Sequence, residues 1–252
     1  MIQPYVNLTI EDKVGVIEFF HPNRNSMPSD VLHKLEQTII DAGNNEVIKV
    51  LILKSGGNRT FCAGASFNEL IAIENAETGK QFFSGFANVI NAMRNCPKLI
   101  IGRVQGKTVG GGVGLAAATD YCLATQYASV KLSELSIGIG PFVIEPAVSR
   151  KIGKTAMSQM TISAETFYSA NWAKEKGLFA EVFETTEELD DAVNALAKNL
   201  SSYNPEALKE MKKVFWEGTD NWDVLLKERA AISGKLVLSE FTKKTLKRFR
   251  KD

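Results

Sequence analysis

Residues 99–125 read LIIGRVQGKTVGGGVGLAAATDYCLAT, and their order decides the fold. Leu99–Val104 is rich in apolar residues and has the length of a buried strand. Thr108–Thr119 passes from glycines to alanines, so a glycine-rich turn should feed a helix. Tyr121–Ala124 is a second apolar run of strand length. Strand, helix, strand at this spacing is a βαβ crossover, which lays parallel strands beneath a helical cover.

The same rhythm extends in both directions. Upstream, Lys49–Leu53 reads as a buried strand. A loop of small residues follows from Ser55 to Ser66, and then come helical stretches at Phe67–Ile73 and Thr78–Arg94, the second ended by Pro97. Tyr5–Ile10 and Val14–Phe20 read as short strands joined by a tight turn at Asp12 and Lys13, with Gly15 beside it. Pro28 opens a helix with Asp30 in its first turn, and Val31, Leu32, Leu35, Ile39 and Ile40 form its apolar stripe. Downstream, Phe179–Phe183 is the one late strand. Glu187–Leu200, Pro205–Glu217 and Trp222–Phe249 read as helices. The fold class is α/β, with a mixed core over residues 1–200 and a helical C-terminal region over 201–252.

Composition narrows the function. The chain has 252 residues, 44% hydrophobic and 23% charged, with a formal net charge of +1. No global electrostatic pull toward nucleic acid or membrane follows from that balance. No apolar run reaches the ~18–20 residues of a membrane span, and Met1–Ile10 lacks the basic and apolar regions of a signal peptide. Cys62, Cys96 and Cys122 are widely spaced with no Cys/His cluster, so neither a disulfide framework nor a metal site is expected. A reducing, cytoplasmic setting is the reading that follows. His21 and His33 are the only histidines, which leaves little room for a Ser–His or Cys–His nucleophile.

Two glycine-rich turns carry the chemistry. Phe61-Cys62-Ala63-Gly64-Ala65-Ser66 lies between a buried strand and a helix, and Gly110-Gly111-Gly112-Val113-Gly114 repeats that arrangement. The second is not a Walker loop, because no Gly-Lys-Ser/Thr follows, and its spacing is not that of a dinucleotide fingerprint. Alone, each turn reads more readily as a structural turn or packing device. Together they can supply two convergent backbone N–H donors, which is an oxyanion hole. Glu134 sits among apolar residues in Val130–Gly138, where desolvation would raise its pKa toward neutrality and suit proton transfer. Its plain alternative is a surface acid partnered by Lys131. Glu145, in Pro141–Pro146, is a second acid in an apolar setting, or simply an acid at a helix start.

These motifs, in this order, resemble the crotonase (enoyl-CoA hydratase/isomerase) superfamily across nearly the whole chain. Pro22, Asn25, Ser26 and Met27 match its Pro-x-x-x-Asn-small-apolar signature. The resemblance implies a ClpP-like fold of stacked ββα units, an oxyanion hole made by the N–H groups of Ala65 and Gly111, and an acyl-CoA substrate with no separate cofactor. Glu134 lies 23 residues after Gly111, where family hydratases carry their distal catalytic Glu. The first Glu of those hydratases falls 20 residues earlier, and that position here is Gly114. Ser66 replaces the usual Asp. The Ser133–Gly138 stretch with Gly114 resembles 3-methylglutaconyl-CoA hydratase-like members of leucine breakdown, while a lone distal Glu resembles Δ3,Δ2-enoyl-CoA isomerases. Hydration of a 2-enoyl-CoA is the expected reaction and isomerisation its alternative.

For coenzyme A, the resemblance points to Arg24, Ser26, Ala63, Gly64, Ser66 and Gly110, and to Lys251 in the basic C-terminal run. It also implies a homotrimer or dimer of trimers, built through the 201–252 region. Lys243, Lys244, Lys247, Arg248, Arg250 and Lys251 give RNA or membrane-surface binding as a reading from another class. A solvated basic helix end explains them more simply, so nucleic acid is not the expected partner. A non-catalytic acyl-CoA-binding relative is the remaining alternative.

Overall fold

The computed structural model describes residues 3–249. β1 (Tyr5–Glu11) and β2 (Val14–Phe20) form the expected antiparallel hairpin. Asp12 and Lys13 turn it with φ of 47° and 68°, the left-handed pair that matches strand twist in a two-residue loop. α1 (Ser29–Asn44) is capped by Pro28 and buries Val31, Leu32, Leu35 and Ile39. Ile40, expected in that stripe, is exposed instead; it lies one residue, about 100°, beyond Ile39 on the helical wheel.

The chain continues through β3 (Val50–Ser55), β4 (Thr60–Cys62), α2 (Phe67–Ile71), α3 (Ala76–Asn95), β5 (Leu99–Val104), β6 (Lys107–Val109), α4 (Gly111–Ala118), β7 (Tyr121–Thr125) and β8 (Ser129–Lys131). A single 3-10 turn, Glu134–Ile137, leads to α5 (Glu145–Ile162), β9 (Tyr168–Ser169), α6 (Ala170–Glu175), β10 (Glu181–Phe183) and α7 (Thr186–Ser202). Three helices complete it: α8 (Pro205–Phe215), α9 (Trp222–Leu236) and α10 (Glu240–Phe249). The helix expected over Trp222–Phe249 is therefore two. The chain restarts at Ser239, whose hydroxyl accepts the Thr242 N–H as a capping residue does.

The large sheet has the order β1-β2-β3-β5-β7-β10, parallel throughout beyond the β1–β2 pair. Alternate residues feed its two faces. Val50, Ile52, Leu99, Ile101 and Leu123 meet Leu189, Val193 and Ala197 of α7, while Leu51, Leu53 and Ile100 join the main core with α1, α3 and α4. A second, smaller sheet has the order β4-β6-β8-β9. Its strands of two or three residues were not read from the sequence, and β4 lies within the expected Ser55–Ser66 loop, because so few residues carry no readable period. The helices after residue 200 pack into the same body: Trp216, Trp222, Leu226 and Ala230 belong to the main core. Among the described residues, no helix is long and apolar enough to cross a membrane.

Candidate active site

The small sheet positions the site. β4, β6 and β8 are neighbouring parallel strands. Ala63–Ser66 leaves the C-terminal end of β4, Gly110–Gly111 that of β6, and Ser133–Glu134 that of β8. All three segments converge on one cavity of about 220 Å³. The carboxyl ends of parallel strands are where such sheets hold ligands.

The first turn is held by the Asn25–Met27 segment. Gly64 has φ of 89°, a conformation that glycine adopts without strain. Met27 donates its N–H to Gly64 O at 2.8 Å and accepts the Ser66 N–H at 3.2 Å. In this parallel bridge, Met27 uses the neighbours of Ala65, so Ala65 turns its own N–H away from Met27. Asn25 fixes the turn that does this. Its side-chain amide donates to Gly56 O at 2.8 Å and Thr60 O at 2.9 Å, and its Oδ1 accepts the His21 N–H at 2.9 Å.

The second turn begins at Gly110, with φ of 53° and ψ of −121°, again a glycine conformation. Gly110 donates its N–H to Lys131 O at 2.9 Å. Gly111 is the first residue of α4, where an N–H has no partner within the helix. A side chain at Gly111 would run into the ring of Phe86. The two turns touch, since a Cβ on Gly64 would lie 3.2 Å from Val109 O and 3.8 Å from Gly111 N. Among the described residues, neither the Ala65 nor the Gly111 N–H meets an acceptor.

Glu134 completes the constellation. A Cβ on Gly110 would come 2.9 Å from its Oε1, so the carboxyl group rests against the second turn. The residue as a whole is half-buried, but its Oε2 is buried without a hydrogen-bond partner. Burial pushes the carboxyl up to about 7, only partly offset by its own backbone N–H. The 3-10 turn that carries it closes on Gly138, with φ of 82°, against Phe241 and Thr242 of α10. Two free N–H donors and a near-neutral carboxyl on one apolar cavity can bind a carbonyl oxygen, stabilise its enolate and move a proton at the adjacent carbon.

A model of the enoyl-CoA hydratase/isomerase family matches residues 9–249. The chain belongs to that family. The peroxisomal Delta(3,5)-Delta(2,4)-dienoyl-CoA isomerase of Arabidopsis thaliana is 27% identical over 205 residues, covering 75% of this chain and 72% of its own. The mitochondrial methylglutaconyl-CoA hydratase of Mus musculus is 27% identical over 201 residues, covering 78% of this chain and 63% of its own. The fold matches the crystal structure of enoyl-CoA hydratase from Bacillus halodurans with a TM-score of 0.88 at 20% identity, covering 97% of this chain and 99% of that one.

Gly114, where the resemblance read from the sequence expects the first Glu of family hydratases, lies in α4. That position is no vacant seat for a carboxylate. A Cβ there would collide with the side chain of Ile144 and come 3.5 Å from Ile90 Cδ1. Glu145, expected as a possible substitute, does not line the cavity. It starts α5 and accepts the Ser149 hydroxyl at 2.6 Å, which is the helix-start alternative. Ala63, Gly64 and Gly110 line the cavity. Ser66 does not; its hydroxyl caps α2 by accepting the Glu69 N–H. Ser26 is buried with its hydroxyl 3.2 Å from His21 Nδ1. Arg24 is exposed beside that turn, with φ of 54°. Arg250 and Lys251 lie outside the described residues. Cys62 is buried and its thiol is pushed up to about 12 by burial, which leaves it inert. Phe86 and Ile144 line the cavity; their packing on Gly111 and Gly114 joins residues 25 and 30 apart in the chain, which no local sequence pattern announces.

Proposed function

We propose that the chain is an enoyl-CoA isomerase that moves a double bond from the 3- to the 2-position with one carboxylate. The observation that carries this reading is that Glu134 is the one titratable side chain lining the cavity among the described residues, while Ile144 fills the space beside Gly114. The thioester oxygen takes the Ala65 and Gly111 N–H groups. Glu134 removes a proton from Cα, the negative charge spreads to that oxygen, and the same carboxyl returns the proton at Cγ. One acid suffices because a single proton leaves and comes back. Ala63, Gly64 and Gly110 border the pantetheine and thioester through their backbone, Arg24 meets a coenzyme A phosphate, and three copies assemble as a trimer.

Hydration of a 2-enoyl-CoA, the reaction favoured from sequence, is the second reading. Ser133 supports it, since it lines the cavity next to Glu134 and its hydroxyl can hold a water. The test is to mix the protein with 3-hexenoyl-CoA, crotonyl-CoA and 3-methylglutaconyl-CoA and follow absorbance of the conjugated enoyl thioester. Isomerisation raises it with the first, and hydration lowers it with the other two. No change with any of them, and no binding, would sink both readings.

A further inference from the structure

We infer that the cavity selects an uncharged hydrocarbon acyl group and rejects one that ends in a carboxylate. The inference rests on the proposed acyl-CoA reading, because it places the acyl chain beyond the two N–H donors. Leu70, Phe82, Phe86, Ile139, Phe142 and Ile144 make the wall. No Lys, Arg or His lines the cavity among the described residues, and its polar side chains are Ser133, Ser233 and Glu134. The layer behind the wall is hydrocarbon too. Leu70, Phe82 and Ile139 continue into a cluster with Val237 and Leu246. Lys243 and Lys247 line a separate cavity, which Leu70 also borders.

A terminal carboxylate in this cavity would lose its water and find no cation. It would also share the space with Glu134, and two carboxylates in one apolar site cannot both ionise freely. A methyl end meets neither penalty, and each buried CH₂ strengthens binding by roughly fourfold. Methylglutaconyl-CoA, the substrate named for the mouse relative, carries such a free carboxylate. Its hydration is therefore set aside for this chain, although the Ser133–Gly138 stretch resembles that branch.

The experiment is titration calorimetry of the full chain at pH 8 with hexanoyl-CoA and adipyl-CoA. These have equal carbon number and differ at the terminal carboxylate. Neither has a double bond, so the result does not depend on which reaction the protein performs. Hexanoyl-CoA should bind about 100-fold more tightly, and affinity should climb from butyryl- to hexanoyl-CoA. Adipyl-CoA binding within threefold of hexanoyl-CoA, or no gain with chain length, would overturn the inference. Preference for hexanoyl-CoA without turnover of 3-hexenoyl-CoA would instead leave the selectivity standing and remove the isomerase reading.

Discussion

Glu134 carries the most at the residue scale. Its carboxyl is buried, half-satisfied and held near pH 7, which places it between a resting acid and a working base. Glu134→Gln keeps the shape and removes the proton. Turnover should fall by about 100- to 10,000-fold with acyl-CoA affinity nearly unchanged, as read by steady-state kinetics beside calorimetry. Retained turnover would remove Glu134 from the mechanism. The pH profile follows from the same burial. A base must be ionised, so kcat/KM should rise as pH passes through about 7 and level off above it; a profile flat from pH 5 to 9 would contradict this. Stability runs the other way. The folded carboxyl holds its proton to a higher pH than the unfolded one, so the unfolded chain ionises first and stability falls as pH rises from about 4.5 to about 7. Glu134→Gln should then unfold at higher urea than wild type at pH 8, and no such gain at pH 4. Glu134 was legible in sequence because it lies 23 residues after Gly111, as in the hydratases that the chain resembles, but the packing of Ile144 on Gly114 was not. That contact is long-range, and no local pattern announces it.

The small sheet is the element that brings the site together. Its three parallel strands end at the two donor turns and at the carboxylate. The turns themselves were readable, because glycine at 64 and 110 answers to backbone angles that other residues avoid. The strands feeding them were not, since three residues show no alternation. The long buried strands and the helices α1, α3, α7 and α8 were read to within a few residues, with β5 matching Leu99–Val104, whereas α5 was not read as a helix from its start at Glu145 and α9 and α10 were read as one. Asn25 links the first turn to the Gly56–Thr60 segment through two hydrogen bonds donated by its side-chain amide. Asn25→Ala should leave those carbonyls short of donors and cost about 1–3 kcal/mol of stability. It should also lower turnover more than acyl-CoA affinity, because Ala65 loses the bridge that aims its N–H. Unchanged kinetics with unchanged urea midpoint would show that the turn holds itself. Gly114→Glu is the complementary probe at α4. It should destabilise the fold through overpacking and a buried charge and add no hydration of crotonyl-CoA.

At the scale of the molecule, the helical C-terminal region is bound to the core by a buried polar cluster. Lys212 Nζ meets Asp120 Oδ2 at 3.0 Å and Lys98 O at 2.8 Å, while Trp216 Nε1 donates to Asp120 Oδ1 at 2.8 Å. Both charged side chains are 3% exposed. Asp120→Ala would strand the Lys212 charge and should cost about 3–5 kcal/mol, measured by urea unfolding; a loss under 1 kcal/mol would mean that Lys212 finds water instead. This cluster joins residues 92 apart in the chain, a pairing no single-sequence pattern contains, and it explains why α8 and α9 behave as part of the core. The same helices leave Met211, Val214, Phe215 and Val224 exposed, a surface available to the proposed trimer, for which light scattering should give three times the monomer mass. The central claim is that two backbone donors and one carboxylate shift a double bond without adding water. Mass spectrometry of the product formed from 3-hexenoyl-CoA tests it most directly. The account predicts a 2-enoyl thioester of unchanged mass, formed by wild type and lost in Glu134→Gln; a first product heavier by one water, or equal conversion by the variant, would contradict it.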